Sequence, residues 1–293
     1  MLHEVTMDKV VYEMSDLNET ALSIRPGERV LFHAEDCFSN EIKTSGKYTV
    51  ADFDYSKINP ATGPVYVEGA EPGDVLRITI EKIELDSHGV VEVFEGVGVL
   101  GDRIQGGYTE IVEIKNDKAL FLGMELELTP MIGVIGVAPE KGNSIPCGFP
   151  GSHGANLDSL EITEGNVVRL PVFVEGGKLA LGDLHALMGN GEVCGSGLEV
   201  RGRVTLRADL EKEVGLLDPY VETDDAYYFF ASAELMEDAV KTAVAHAVDF
   251  IVEKKEVPYE KACMLTSIAC DLEVCQVVNP LKTMKMKVPK NIL

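Results

Sequence analysis

Basic residues are scarce in this chain. Lys and Arg total 26 against 49 Asp and Glu in 293 residues, a formal charge of −23. A surface of that sign repels polyanions, which excludes nucleic acid and anionic membrane surfaces as expected partners and leaves a small neutral molecule unopposed. Long hydrophobic runs are also missing. No apolar stretch reaches the ~18 residues of a membrane span, and no basic segment followed by an apolar run opens the sequence, so a cytoplasmic protein is expected. Cysteines are few and never form a C-x-x-C pair, which argues against a disulfide scaffold and for reduced thiols. Cys263, Cys270 and Cys275 fall in an apolar C-terminal region and read as buried small hydrophobes. Internal repeats and low-complexity linkers are absent, and the length suffices for one large domain or two with a sizeable core.

Up to about residue 210, short β-branched runs alternate with turn signals. Val75–Ile80, Gly89–Val93, Thr109–Ile114, Leu126–Leu128, Asn166–Leu170, Val172–Val174 and Leu198–Leu206 read as strands, many of them with period-two alternation. Glu71-Pro-Gly-Asp74, Glu164-Gly-Asn166 and Glu175-Gly-Gly177 supply turns between them. Many strands without intervening helices predict a mainly β fold, a jelly-roll-like β-sandwich core over residues 1–215. A C-terminal α+β subdomain over 216–293 follows. Apolar residues at spacings of three and four from Leu235 to Ile251 predict a helix over about Ser232–Lys254. A second helix is expected from Pro258 to about Cys270, then a closing strand over Asp271–Asn279 stopped by Pro280.

Histidine occurs only six times, and one stands in Leu181-Gly-Asp-Leu-His-Ala-Leu-Met-Gly-Asn-Gly-Glu-Val-Cys-Gly195. If the segment before Ala186 is extended, Asp183 and His185 point to one face, and the glycine-rich turn brings Glu192 alongside. A strand-end Asp can equally cap a turn, His185 can be a hydrogen-bonded core residue, and Glu192 can be solvated. The density of glycine, at 182, 189, 191, 195 and 197, favours close backbone approach, and an O/N/O donor set suits a hard or borderline divalent ion. Asp36 reads on its own as a turn or N-cap residue. Asn156 and Asp158 read as loop caps, or as two polar groups aimed to one side if extended. Glu68 reads as a solvated strand-end residue, or, if buried, as a general base sharing comparable claims with Glu192. Cys194 offers a thiolate mechanism, opposed by the adjacent glutamate, and reads better as a thiol packed under the turn.

These segments resemble the acetamidase/formamidase amide hydrolases. The resemblance runs in order through Asn59–Asp74, Gly133–Pro139, Gly154–Asp158, Leu170–Val174, Gly182–Ala186 and Gly191–Gly195, and departs at Ala155, where a second glycine is more usual. It implies hydrolysis of short aliphatic amides to a carboxylate and ammonia. It places an acidic residue near the site at Asp36 and aligns Asn156 and Asp158 with a Gly-Asn-x-Asp segment; His33 matches no pattern of the family and stays a runner-up. The expected metal ligands are Asp36, Asp183, His185 and Asp158, the catalytic groups Glu68 and Glu192, and the substrate contacts Asn156 and Gly191. Zinc is the expected ion, with calcium the alternative if the shell proves oxygen-rich. The resemblance also implies a homodimer. A non-catalytic β-sandwich whose ion only fixes loops is the competing reading.

Overall fold

The computed structural model describes residues 1–293. Seven strands come from its first third: β1 (Leu2–Val5), β2 (Val10–Val11), β3 (Glu13–Ser15), β4 (Leu22–Ile24), β5 (Glu28–Ala34), β6 (Ala61–Val67) and β7 (Val75–Phe94). The middle contributes β8 (Gly107–Lys115), β9 (Lys118–Phe121), β10 (Met124–Glu127), β11 (Met131–Gly136), β12 (Ser144–Pro146), β13 (Gly154–Asn156), β14 (Val167–Pro171), β15 (Leu179–Leu187) and β16 (Leu198–Glu211). After them come β17 (Tyr220–Glu222), β18 (Ala226–Ala233), helices α1 (Met236–Lys255) and α2 (Tyr259–Ala269), and strands β19 (Asp271–Gln276) and β20 (Lys282–Pro289). The architecture is mainly β with a small C-terminal helical portion, as the strand and turn pattern predicts.

Period-two patterning explains the longest pairing. Along β16, Val200, Gly202, Val204, Leu206 and Ala208 are buried while Arg201, Arg203, Thr205 and Arg207 face outward, and the strand pairs antiparallel with both β5 and β7. The expected strands Val75–Ile80 and Gly89–Val93 are parts of one strand, β7, because β16 supports both halves. Val172–Val174 is not a strand; Val172 and Val174 are buried and Phe173 is half-buried in a loop after β14. A 36-residue apolar cluster with Phe32, Ile78, Leu170, Leu184 and Phe230 fills the body.

The helix begins four residues later than Ser232, because Ser232 and Ala233 pair with Thr283 and Lys282 as the end of β18. Helix α1 buries Ala239, and its Ala243, Ala247, Val248 and Ile251 form a second cluster with Phe229, Met286 and Val288 of the strands beneath it. Pro258 is the N-cap of α2 rather than its first residue. Of the three C-terminal cysteines only Cys275 is buried, while Cys263 is exposed and Cys270 half-buried, because the outer face of α2 has no neighbour. Strand β20, unforeseen in the sequence, runs between β18 and β19. Hydrogen bonding also crosses residue 215, since β17 pairs with both β14 and β18.

Candidate active site

Strand β15 is buried on both faces as far as Ala186, so the two polar residues in it must find partners inside the protein. Asp183 has a φ of +55°, a left-handed conformation that Asp tolerates better than most residues. The strand is therefore not regular there, yet Asp183 Oδ1 still comes within 3.5 Å of His185 Nε2. Opposite, Gly133 of β11 leaves the space this needs: a Cβ there would lie 2.7 Å from both Asp158 Oδ1 and Asp183 Oδ2. Gly197 does the same for the imidazole, where a Cβ would approach His185 Nδ1 to 2.6 Å. Close approach is thus the reason for glycine at 197, as at 182 and 195, but Gly189 has open space around it.

The C-terminal unit holds the two outlying acids in place. Gly191 donates its N–H to Cys275 O at 2.7 Å and accepts from Val277 N–H at 3.1 Å, which fixes the turn bearing Glu192. Asn279 donates from Nδ2 to Asp158 Oδ2 at 2.7 Å and to Asn156 O at 3.2 Å. Beneath both arms the fully buried Lys285 ammonium contacts Glu161 at 2.6 Å and Asn190 at 3.2 Å. Ser159 Oγ in turn donates to Glu161. One cation therefore secures the loop after Asp158 and the turn before Glu192.

Two ligand-sized groups result. Asp158, His185 and Glu192 bring donor atoms within 4.8 Å of one another, and so do Cys37, Asp183 and Glu199. His185 Nε2 lies between them, 3.2 Å from Glu199 Oε1 and 3.9 Å from Asp158 Oδ1. Four buried carboxylates thus surround one imidazole, and Asp158 Oδ1, Asp183 Oδ1 and Glu199 Oε2 have no hydrogen-bond partner. Burial pushes the Asp158 carboxyl up to about 6 and Glu199 up to about 8. Burial and the neighbouring Asp158 charge hold Glu192 well above the usual carboxylate range. Burial opposes a charged His185, but the Glu199 and Asp183 carboxylates outweigh it and raise the imidazole well above its ordinary value. Orphaned, mutually repelling oxygens at this density are relieved by a cation, so the residues fit a divalent ion.

The site opens on a cavity of about 760 Å³, whose wall includes Cys37, Glu92, Asn156, Asp183, Glu192 and Glu199. Asp158 and His185 lie behind that wall, each 1% exposed. The remaining expected site residues lie elsewhere. Asp36 is buried but accepts the Phe38 and Asn40 N–H groups at 3.0 and 2.7 Å through Oδ1. It caps the loop that presents Cys37, the turn role its sequence suggested. Glu68 is exposed beyond the end of β6, and a solvated carboxylate there cannot serve the cavity. Gly191 contributes backbone pairing rather than cavity wall. His33 pairs with Glu4 at 2.7 Å on the outer face of β5. Cys194 is exposed, not packed under the turn, because its backbone rather than its thiol meets Gly98, and it does not line the cavity.

Glu199, Glu92, Cys37, Asn59 and Asn279 are not among the site residues that the sequence suggests. Glu199 sits inside Leu198-Glu-Val200, where alternation sends it outward; only its pairing with His185 across β15 and β16 reveals its direction. Asn59, which donates to Asp183 Oδ2 at 3.4 Å, opens one of the segments that carry the family resemblance, and that position was the available signal.

Residues 15–143 and 142–293 match the Acetamidase/Formamidase family. The chain belongs to that family. Its fold is similar to the crystal structure of an acetamidase from Bacillus halodurans, with a TM-score of 0.95 and 39% identity over 99% of this chain and 98% of that one. A protein predicted to be an acetamidase/formamidase, from the thermophile Thermoanaerobacter tengcongensis, gives a TM-score of 0.95 and 44% identity over 100% and 97% of the two chains. The formamidase of Methylophilus methylotrophus is 24% identical over 252 residues, covering 65% of this chain and 61% of its own length. Family membership makes this protein an amidase.

Proposed function

We propose that the protein is a divalent-metal-dependent hydrolase of linear amides, of the kind named in formamidase and acetamidase, and that it yields a carboxylate and ammonia. The observation that carries this reading is the set of partnerless carboxylate oxygens around His185 at the edge of the cavity. Asp158, Asp183 and His185 would hold the ion together with Glu199, and Cys37 is placed to join them. The imidazole and thiol favour zinc, while calcium is the oxygen-rich alternative. When bound, such an ion supplies Lewis acidity to a carbonyl oxygen and acidity to water.

The chain's own residues supply the proton traffic. Hydrolysis forms one C–O bond and breaks the C–N bond, and the electron pair leaving with nitrogen requires a proton because an amide anion is a poor leaving group. Glu192 is the wall carboxylate for this task. Its raised affinity for protons, from burial and the Asp158 charge, suits a group that accepts one from water and returns it to nitrogen. Asn156, also on the wall with an unpartnered Oδ1, is positioned to accept an amide N–H. A homodimer and a cytoplasmic setting belong to the same proposal, and no helix is long and apolar enough to cross a membrane.

The test is ammonia release from a small amide series alongside metal analysis of the purified protein. Activity should disappear on chelation and return with zinc. Full turnover in chelator, with no metal retained, would overturn the metal-dependent reading.

A further inference from the structure

The cavity is much larger than the smallest amides require. Its volume of about 760 Å³ falls within the ~300–1,000 Å³ typical of pockets for drug-sized ligands. Formamide or acetamide would leave most of it to water. Its wall carries both a polar group of residues and an apolar one. Asp183, Glu192, Glu199 and Asn156 are the buried polar residues of that wall, beside His185. Phe38 and Phe94 form a buried apolar side wall, each with its ring centroid 5.4 Å from Phe53. Tyr55 and Phe149, 53% and 40% exposed, stand where the wall meets solvent. Exposed aromatics at the rim of a built cavity mark a surface that a ligand covers.

Charge narrows the ligand further. Among the 22 lining residues there is no Lys, Arg or His, while Glu13 lies exposed at the rim and Glu92 is buried in the wall with Oε2 unpartnered. A carboxylate on the substrate would find no Lys, Arg or His in the wall to pair with and the exposed Glu13 at the rim to repel it.

We propose that the preferred substrate is an amide bearing an apolar or aromatic substituent about the size of a phenylmethyl group and no negative charge. The amide sits against the buried carboxylates and the substituent runs along Phe38 and Phe94 toward Tyr55 and Phe149. The inference rests on the amide-hydrolase reading and specifies its substrate class. Hydrolysis of such a compound consumes one water, breaks the C–N bond, and releases an arylacetate and ammonia.

The test is kcat/KM for formamide, acetamide, phenylacetamide and the para-carboxylate of phenylacetamide, followed by coupled ammonia release from the full chain. Phenylacetamide should exceed acetamide by about tenfold or more, the scale that apolar complementarity supplies, and the para-carboxylate should fall below phenylacetamide by a similar factor. In Tyr55→Ala and Phe149→Ala, both at exposed positions where folding is not at stake, the phenylacetamide-to-acetamide ratio should drop about fivefold through KM. Preference for formamide or acetamide, equal use of the para-carboxylate, or an unchanged ratio in both variants would overturn the substrate class while leaving the hydrolase reading intact. Absence of ammonia from every amide would sink both.

Discussion

The apolar body and the carboxylate site are built from the same strands and obey opposite rules. In β15, Leu181 and Leu184 join the main apolar cluster and are fully buried, and their burial stabilises the fold by about 1.5–3 kcal/mol each. In the same strand, Asp183 and His185 are just as buried within a crowd of carboxylates that have orphaned oxygens, where burial costs stability unless a cation is present. The body carries the stability that allows the site to exist. The difference teaches that core substitutions should harm folding first, whereas site substitutions should harm chemistry and can even strengthen the metal-free fold.

The largest effect is expected where the two rules collide most directly. Asp183→Asn and His185→Ala should each lower zinc affinity and amide turnover by about two orders of magnitude or more, since even residues behind metal ligands matter by 10–100-fold. In metal-free protein, Asp183→Asn should raise the melting temperature by removing one of the crowded charges. Wild-type zinc content and turnover in either variant would remove these residues from the site.

Lys285 belongs to both regions at once. Lys285→Met leaves Glu161 with Ser159 but without its cation and should cost about 3–5 kcal/mol. Adding Glu161→Gln should recover most of that stability, yet zinc affinity should stay reduced because Asn190 has also lost its tether. Full recovery of both would mean that the buried ammonium supports folding alone.

Ile251→Ala, in the interface between α1 and its strands, should cost about 2–5 kcal/mol and leave zinc affinity per folded molecule unchanged. Val244 is the weaker choice for this test, since it is only partly buried.

Glu92 separates the regions by pH. Burial pushes its carboxyl up from 4.5 to about 8. Below pH 4.5 it is protonated in folded and unfolded chains alike; between there and pH 8 the unfolded chain ionises first, so its contribution to stability is lost as pH rises. Glu92→Gln should therefore be close to neutral at pH 4 and stabilising by up to about 4 kcal/mol at pH 8. Parallel denaturation curves at both pH values would contradict this.

Cys194→Ser should have the smallest effect, within about 0.5 kcal/mol of wild type as at other exposed positions, with turnover retained. Collapse of activity in a folded protein would revive a thiolate mechanism.

Strand alternation and the apolar stripe of α1 were legible in the sequence because each is a local period that burial enforces residue by residue. The glycine-flanked Asp183 and His185 were legible as a pair for the same local reason, although the conformation that joins them is left-handed rather than regularly extended. Glu68 showed the limit of that reading. A glutamate after an apolar run looks the same whether its side chain faces inward or outward, and here it faces solvent although Ala70 just beyond is buried.

The sequence by itself determined the mainly β class, the terminal helices, the acidic surface and the glycine-framed core of the site. Only the tertiary structure decided that Glu199 faces His185 across two strands, that Cys37 and Glu92 join the cavity, and that Lys285 and Asn279 brace the acids from the far end of the chain. Those choices depend on register between segments more than a hundred residues apart, 124 of them from Glu161 to Lys285. A local pattern carries no information about which strand lies beside which, because that is set by the packing of the whole core.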